Sequence, residues 1–267
     1  PTRGGVGGPV ARCVRSLLDQ LTPADEVIVS VDGGTPDPAL DALARAHPVR
    51  VLGGAAVGPG GARNRGLRVA RASVVLFLND DVVARPGLLD AHAAFHAGAE
   101  GRGAMMLGAA PWRVRSDDRV VDRLLRDTSW IFFYDRMAED PARDWGFRHA
   151  WTLNLSLPRD AAAAFDERLA FPMFDDLEWA WRVGLPVRYR PGAVVEHEHR
   201  YTAIGLLRRE ALLGHQAAVL HGLNPACAAA AFGDRYRPGA AGGGVDPDWP
   251  EAFRAFEAMA ERPAEEL

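Results

Sequence analysis

The chain has 267 residues, 48% hydrophobic and 25% charged, a balance that belongs to a soluble globular protein able to bury a sizeable core as one large domain or two fused halves. A net charge of −4 gives no reason to expect nucleic acid or an anionic membrane as the main partner. All 31 basic residues are Arg, and without any Lys the chain excludes a Walker lysine, a Schiff-base lysine and pyridoxal chemistry. Two cysteines, Cys13 and Cys227, make neither a disulfide framework nor a metal cluster and fit a reducing cytosol. No apolar run of about 18 residues is present to span a membrane. No signal peptide is visible, and the start at Pro1-Thr2-Arg3 without Met leaves room for residues upstream.

In chain order, residues 1–9 read as a Gly-rich loop and 10–20 as a helix, with Val10, Val14, Leu17 and Leu18 at helical spacing. Residues 26–31 (Glu-Val-Ile-Val-Ser-Val) read as a strand ending in the polar turn Asp32-Gly33-Gly34-Thr35. A helix over 38–46 and a short strand over 49–52 follow. Residues 53–66 read as a glycine-rich loop that opens a helix running to Ala70. The strand 73–78 comes next, then a helix from about 86 to 96. This alternation predicts a parallel, helix-covered sheet. Seven aromatics between Pro111 and Trp151 (among them Trp112, Trp130 and Trp145) suit either sugar stacking or packing of a variable subdomain. Residues 202–221 read as an amphipathic helix that covers the site, pairs with another subunit or rests on a membrane surface. The Gly/Pro-rich stretch 238–250 reads as a linker to a final helix over 251–261.

The apolar run Val74 to Leu78 suits a buried strand, and it ends abruptly in Asn79, Asp80 and Asp81. Asn and Asp are ordinary turn residues, so a solvated turn is one reading. The other is functional. Carboxylates at the C-terminal end of a sheet strand lie where open α/β folds bind ligands, and hard oxygen ligands there suit a divalent cation that also holds phosphate oxygens. A second strand ends in a carboxylate at Asp32, and together the two make a nucleotide site plausible.

Several short motifs stand in one order: Pro1-Thr2-Arg3, the strand ending at Asp32-Gly33, Gly61-Ala62-Arg63-Asn64-Arg65-Gly66, and Leu78-Asn79-Asp80-Asp81. Further on come Leu153-Asn154-Leu155-Ser156, Phe165-Asp166-Glu167, Phe174-Asp175-Asp176-Leu177-Glu178-Trp179-Ala180-Trp181-Arg182, and Ala193-Val194-Val195-Glu196-His197. In this order and spacing the chain resembles a family 2 glycosyltransferase, from Pro1 to about His199. The resemblance implies an α/β GT-A fold, a Rossmann-like and mostly parallel sheet flanked by helices, with a C-terminal helical extension. It divides the chain into a nucleotide-sugar half (1–110), an acceptor half of the same domain (111–200) and the extension (201–267).

The resemblance also implies roles. Pro1, Thr2, Arg3, Asp32, Arg63, Asn64, Asn79 and Asp80 would border a nucleotide-diphosphate sugar, with Asp32, Thr2, Arg63 and Asn64 near base and ribose. Asp81 and His197 would hold Mn²⁺ or Mg²⁺, with His199 as a second choice. Asp176 would act as general base in an inverting transfer, and Asn154, Asp175 and Trp181 would border the acceptor. Asn79 stands where the family's Asp-x-Asp motif begins with an acid, a neutral amide in place of a charge. Asp175 replaces a more usual Glu, and Val31 precedes Asp32 where the family often has a second acid. The implied partners are a UDP- or dTDP-sugar and a carbohydrate, lipid-linked or small-molecule acceptor, without nucleic acid, and a homo-oligomer formed through the C-terminal helix. The implied location is cytoplasmic, with a peripheral place at the inner membrane face as the variant. Two rival functions remain: a sugar-1-phosphate nucleotidyltransferase, which usually needs a phosphate-binding lysine absent here, and a non-catalytic binding protein of the same fold.

Overall fold

The computed structural model describes residues 1–4, 8–128, 130–132, 134–233 and 258–263. The linker expected over 238–250, and most of the final helix expected over 251–261, lie outside them. The chain forms two compact units, one of residues 1–111 with 134–198, the other of residues 112–133 with 199–267.

The first unit begins with helix α1 (Val10–Leu18), strand β1 (Val27–Ser30), helix α2 (Pro38–Ala46), strand β2 (Val49–Leu52) and helix α3 (Gly58–Leu67). It continues with β3 (Val74–Leu78), β4 (Val82–Ala84), α4 (Leu88–Ala97) and β5 (Met105–Ala109). After the excursion of α5 (Val120–Asp127) into the second unit come α6 (Tyr134–Ala138), β6 (Asn154–Pro158), α7 (Asp175–Val183) and β7 (Val187–His197). These ends follow local chemistry. Asp37 caps α2 by accepting the Ala39 N–H at 2.9 Å, with Pro38 at the first turn where its missing N–H costs nothing.

β1 and β2 pair in parallel, and Thr2 extends that pairing: its N–H reaches the Ser30 carbonyl at 2.9 Å and its carbonyl accepts the Asp32 N–H at 2.7 Å. The other sheet has the order β3-β6-β5-β7-β4. Only β5 and β7 run parallel in it; its other three neighbouring pairs are antiparallel. The expected α/β class holds, but this sheet is mixed rather than mostly parallel. The reason is that β6 and β7 come from the second half of the chain, and β6 inserts between β3 and β5 against the direction that strand–helix alternation implies.

The stretch 53–66, expected as a loop, is helical from Gly58 onward. Asp32 makes this possible by accepting the N–H groups of Val57 at 2.7 Å and Gly58 at 3.0 Å at the helix start. Glycine is required at Gly58, where φ is +84° and a Cβ would lie 2.2 Å from the Ala170 carbonyl oxygen. Helix propensity is sacrificed there for close approach to the segment that leads into α7.

That segment is locked by aromatic packing. Phe165 stacks on Trp179 with centroids 4.7 Å apart, and Phe77 of β3 meets both edge-on at 5.6 and 5.5 Å. Trp179 is fully buried and donates its indole N–H to the Ala163 carbonyl at 2.7 Å. This cluster fixes α7, and with it the acids of its first turn, to the sheet.

The second unit holds α5 with α8 (Ala203–Leu223) and α9 (Pro225–Phe232). Val121, Leu125, Ala203, Leu206 and Ala260 form its core. Arg200 bonds Asp117 at 2.8 Å and Asp122 at 2.6 Å, and Arg119 also pairs with Asp122. Thr202 caps α8 through the Gly205 N–H at 2.9 Å, where the sequence placed the helix start. His199, the second-choice ligand, lies in this unit, edge-on to Tyr201 at 4.3 Å. No helix of the described residues is long and apolar enough to cross a membrane.

Candidate active site

β3 delivers Asn79, Asp80 and Asp81 into a tight turn, and β4 follows at once, antiparallel to β7 with Val82 opposite His197. This register brings Asp81 and His197, 116 positions apart in the chain, to 3.5 Å between Oδ1 and Nε2. The Glu198 N–H closes the corner on the Asp81 carbonyl at 2.8 Å. His197 is buried and Asp81 half-buried. Two ligands on one divalent cation at about 2.1 Å stand about 3 to 3.5 Å apart, so this oxygen–nitrogen pair fits Mn²⁺ or Mg²⁺. Among the described residues no group of three or more His, Cys, Asp or Glu side chains is placed to hold a metal. The remaining positions of a shell would fall to water and to ligand oxygens, as is usual for ions that carry a nucleotide diphosphate.

Thr2 joins this corner from the N-terminal segment. Its hydroxyl bonds Asp80, whose carboxyl is nonetheless pushed up, first by burial and then by the neighbouring Asp81 charge. The structure thus groups Thr2, Asp80 and Asp81, and adds Asp32 through the main-chain bond from its N–H to Thr2. Pro1 and Asn79 are half-buried nearby in sequence, and Arg3 is exposed. Both Asp32 oxygens already hold α3.

The acids of α7 stand on an unusual turn. Met173 and Phe174 have φ values of +128° and +58°, a region that bulky residues rarely occupy. The turn is held by the Met173 N–H, which donates to Asp175 Oδ1 at 3.1 Å, and by the Glu178 N–H on the Phe174 carbonyl at 2.8 Å. Asp176 accepts the Leu177 N–H at 2.8 Å and the Thr152 N–H at 3.4 Å. Burial and then the adjacent Asp175 charge push its carboxyl up to about 6, against an opposing pull from Arg63. A carboxylate of that basicity suits a general base near neutral pH.

Residues 152 and 153 bring the two corners together. The Thr152 N–H reaches Asp176, and the Leu153 carbonyl accepts the Asn79 N–H at 3.4 Å. The end of β3 and the start of α7 therefore meet the same two residues of backbone.

Three of the expected site residues are engaged within the protein itself. Arg63, expected beside base and ribose, is buried and donates to Asp175 Oδ2 at 2.6 Å, with its guanidinium over Phe165 at 5.4 Å. Asn64, expected with it, is engaged inside the protein: its amide bonds the Phe165 carbonyl at 3.0 Å and Glu167 at 2.9 Å, and its oxygen accepts the Phe165 N–H at 2.7 Å. Asn154, expected at the acceptor, is fully buried. Its amide donates to the carbonyls of Ala109 and Ala193, each at 3.0 Å, and its oxygen meets His92 Nε2 at 3.0 Å. His92 is itself held neutral by burial, down to about 4, and with His96 shares the Ser156 hydroxyl. Asn154→Ala would take a donor from each of two carbonyls and leave a small void, and is expected to destabilise the protein by about 3 kcal/mol in urea unfolding. Trp181 is half-buried on α7, and Glu178 and Arg182 of the same helix pair with each other at 2.8 Å.

Sequence reasoning missed the Arg63–Asp175 pair, which spans 112 positions. It also missed the Met173-Phe174 turn, where no Gly or Asn marks a positive φ. No local signal marks either.

Comparison with known proteins agrees with this architecture. The family model described as Glycosyl transferase family 2 matches residues 5–150, more than half of the chain. The crystal structure of S. aureus TarS 1–349 superposes with a TM-score of 0.51 at 14% identity, covering 78% of this chain and 61% of that one. A longer S. aureus TarS structure gives 0.51 at 15% identity over 81% of this chain and 39% of that one. TarS 1–349 in complex with UDP gives 0.50 at 14% identity, with 78% and 61% covered. At such identities the likeness is one of fold, and the chain spans less than two thirds of those chains. No curated protein matches it in sequence.

Proposed function

Because the chain belongs to glycosyl transferase family 2, we propose that it moves a sugar from a UDP- or dTDP-linked donor to an acceptor hydroxyl with inversion. Asp176 is the general base, and Asp81 with His197 holds Mn²⁺ or Mg²⁺. The observation that carries this reading is the backbone of residues 152–153, which touches both the strand end bearing Asp81 and the helix start bearing Asp176, at 3.4 Å each. Thr2, Asp32 and Asp80 border the donor on the Asp81 side, and the acceptor belongs to the half that carries Asp176.

The chemistry follows from these groups. The acceptor oxygen forms its bond to C1 as the bond from C1 to the diphosphate oxygen breaks. The proton of the acceptor hydroxyl passes to the Asp176 carboxylate. A single displacement inverts the anomeric centre and needs no covalent intermediate. A divalent cation, when bound, supplies positive charge to the leaving diphosphate. Arg63 and Asp175 lie on the Asp176 side of the site and touch neither the base nor the ribose in this reading.

Calorimetric titration of UDP, dTDP and GDP, each with and without Mn²⁺, tests the donor side. TarS, of the same fold, has been crystallised with UDP, so UDP heads the series. With two protein ligands at the metal corner among the described residues, the expected result is weak binding of Mn²⁺ alone and at least tenfold tighter binding of one diphosphate when Mn²⁺ is present. No binding of any nucleotide by the folded protein would overturn the proposal.

A further inference from the structure

The first turn of α7 places two carboxylates side by side, and one cation from another element lies against them. Arg63, on α3, is buried with its side chain 8% exposed, and its partner Asp175 is 4% exposed. Their contact is 2.6 Å, while Arg63 Nε is buried with no hydrogen-bond partner. A buried guanidinium with an unmet N–H is costly to keep unless its charge does something. Arg65, two residues on and so on another side of α3, does none of this: it donates to the Val31 carbonyl at 2.8 Å and the Ala55 carbonyl at 3.0 Å.

The groups that face Asp176 are few. Asp175 is beside it, Arg63 comes from α3, and the N–H groups of Leu177 and Thr152 bond it. Glu178 is tied to Arg182. The turn Phe147–His149 also packs on α7; there His149 is bonded to the Trp145 carbonyl at 2.6 Å and kept neutral by burial, and Arg148 lies over Phe147. Two adjacent carboxylates in a buried turn cannot both stay charged at low cost, and a counterion on one of them decides how readily the other takes a proton.

We propose that Arg63 is a positioning residue: its guanidinium neutralises Asp175 and thereby sets the proton affinity of Asp176, the base. The inference rests on the reading of Asp176 given above, and it extends the glycine-rich helix α3 from the donor side to control of the base. Arg63 does this through Asp175, without touching substrate.

The test follows the ¹³Cγ resonance of Asp176, assigned by its loss in Asp176→Asn, through a pH titration of the whole ¹³C-labelled protein without ligand. In Arg63→Gln the midpoint is expected to rise by about one pH unit, because a positive charge is lost and Asp175 is left uncompensated. In Asp175→Asn it is expected to fall by about one unit, since Asn still accepts the Met173 N–H but carries no charge. Arg63→Lys, which keeps the charge, restores the wild-type midpoint. A merely structural role would disturb folding without moving the two midpoints in opposite directions. Midpoints that stay put, or move the same way, in folded Arg63→Gln and Asp175→Asn overturn the proposal. Should Arg63→Gln fail to fold, the double variant Asp175→Asn/Arg63→Gln decides: a midpoint equal to that of Asp175→Asn supports action through Asp175, and a rise above it refutes it. The titration needs no substrate. Its failure leaves the transfer reading standing, whereas an active Asp176→Asn enzyme would remove that reading and leave the coupling intact.

Discussion

Asp176→Asn is expected to lower sugar transfer by roughly a hundred- to ten-thousand-fold while UDP binding with Mn²⁺ stays within about twofold of wild type. The side chain keeps its size and its oxygen can still accept the Leu177 N–H at 2.8 Å, giving up only the longer 3.4 Å bond from Thr152 to the other oxygen, so the α7 turn is retained. What is lost is the ability to take up a proton. The pH profile gives the same group a second signature. With the carboxyl pushed up to about 6, transfer by the wild type is expected to fall off as the pH drops below that value, because protonated Asp176 cannot serve as base. Above it the carboxylate is ionised and that limb is flat. Calorimetry of UDP with Mn²⁺ and a kcat/KM profile measured side by side check both statements; a loss of donor binding equal to the loss of transfer would sink the assignment.

Asp81→Ala is expected to do the reverse, weakening Mn²⁺-dependent UDP binding by more than about a hundredfold, since it removes one of the two proposed protein ligands. His197→Ala should do the same through the other. The 3.5 Å contact between them means each also loses its neighbour, so the double variant is expected to be little worse than either single one. UDP binding without metal is the internal control, and should change little in any of the three. If Asp81→Ala binds UDP with Mn²⁺ as the wild type does, the metal corner is misassigned. Failure of Asp176→Asn alone would leave this corner untouched, because the two sets of residues stand on different elements.

Much of the site was legible in the chain. A short apolar run that stops in Asn79-Asp80-Asp81 declares a strand end with carboxylates, although the strand expected to be buried on both faces buries only Phe77 and leaves its other residues half-buried. Asp175 and Asp176 announce a helix start, where the macrodipole favours acids. The ends of α2 and β2 follow from Pro38 after a capping Asp37 and from a short Val-rich run, and these signals act over a few residues. Other features belong to the tertiary structure alone. Nothing near Arg63 says that its partner lies 112 residues on, and nothing near Asn154 says that its amide is engaged by two buried carbonyls. A glycine run reads as a loop until Asp32 caps it and the 165–170 segment packs on it; then it is helix α3. Whether strands run parallel depends on which later strand enters the sheet, and β6 arrives between β3 and β5 from far along the chain. Local propensity and pattern act over one turn or one strand, and so they determined the elements and the residue types at their ends. Long-range pairing and burial decide which of those ends meet, and only the folded chain brings Asp81 to His197 and Arg63 to Asp175.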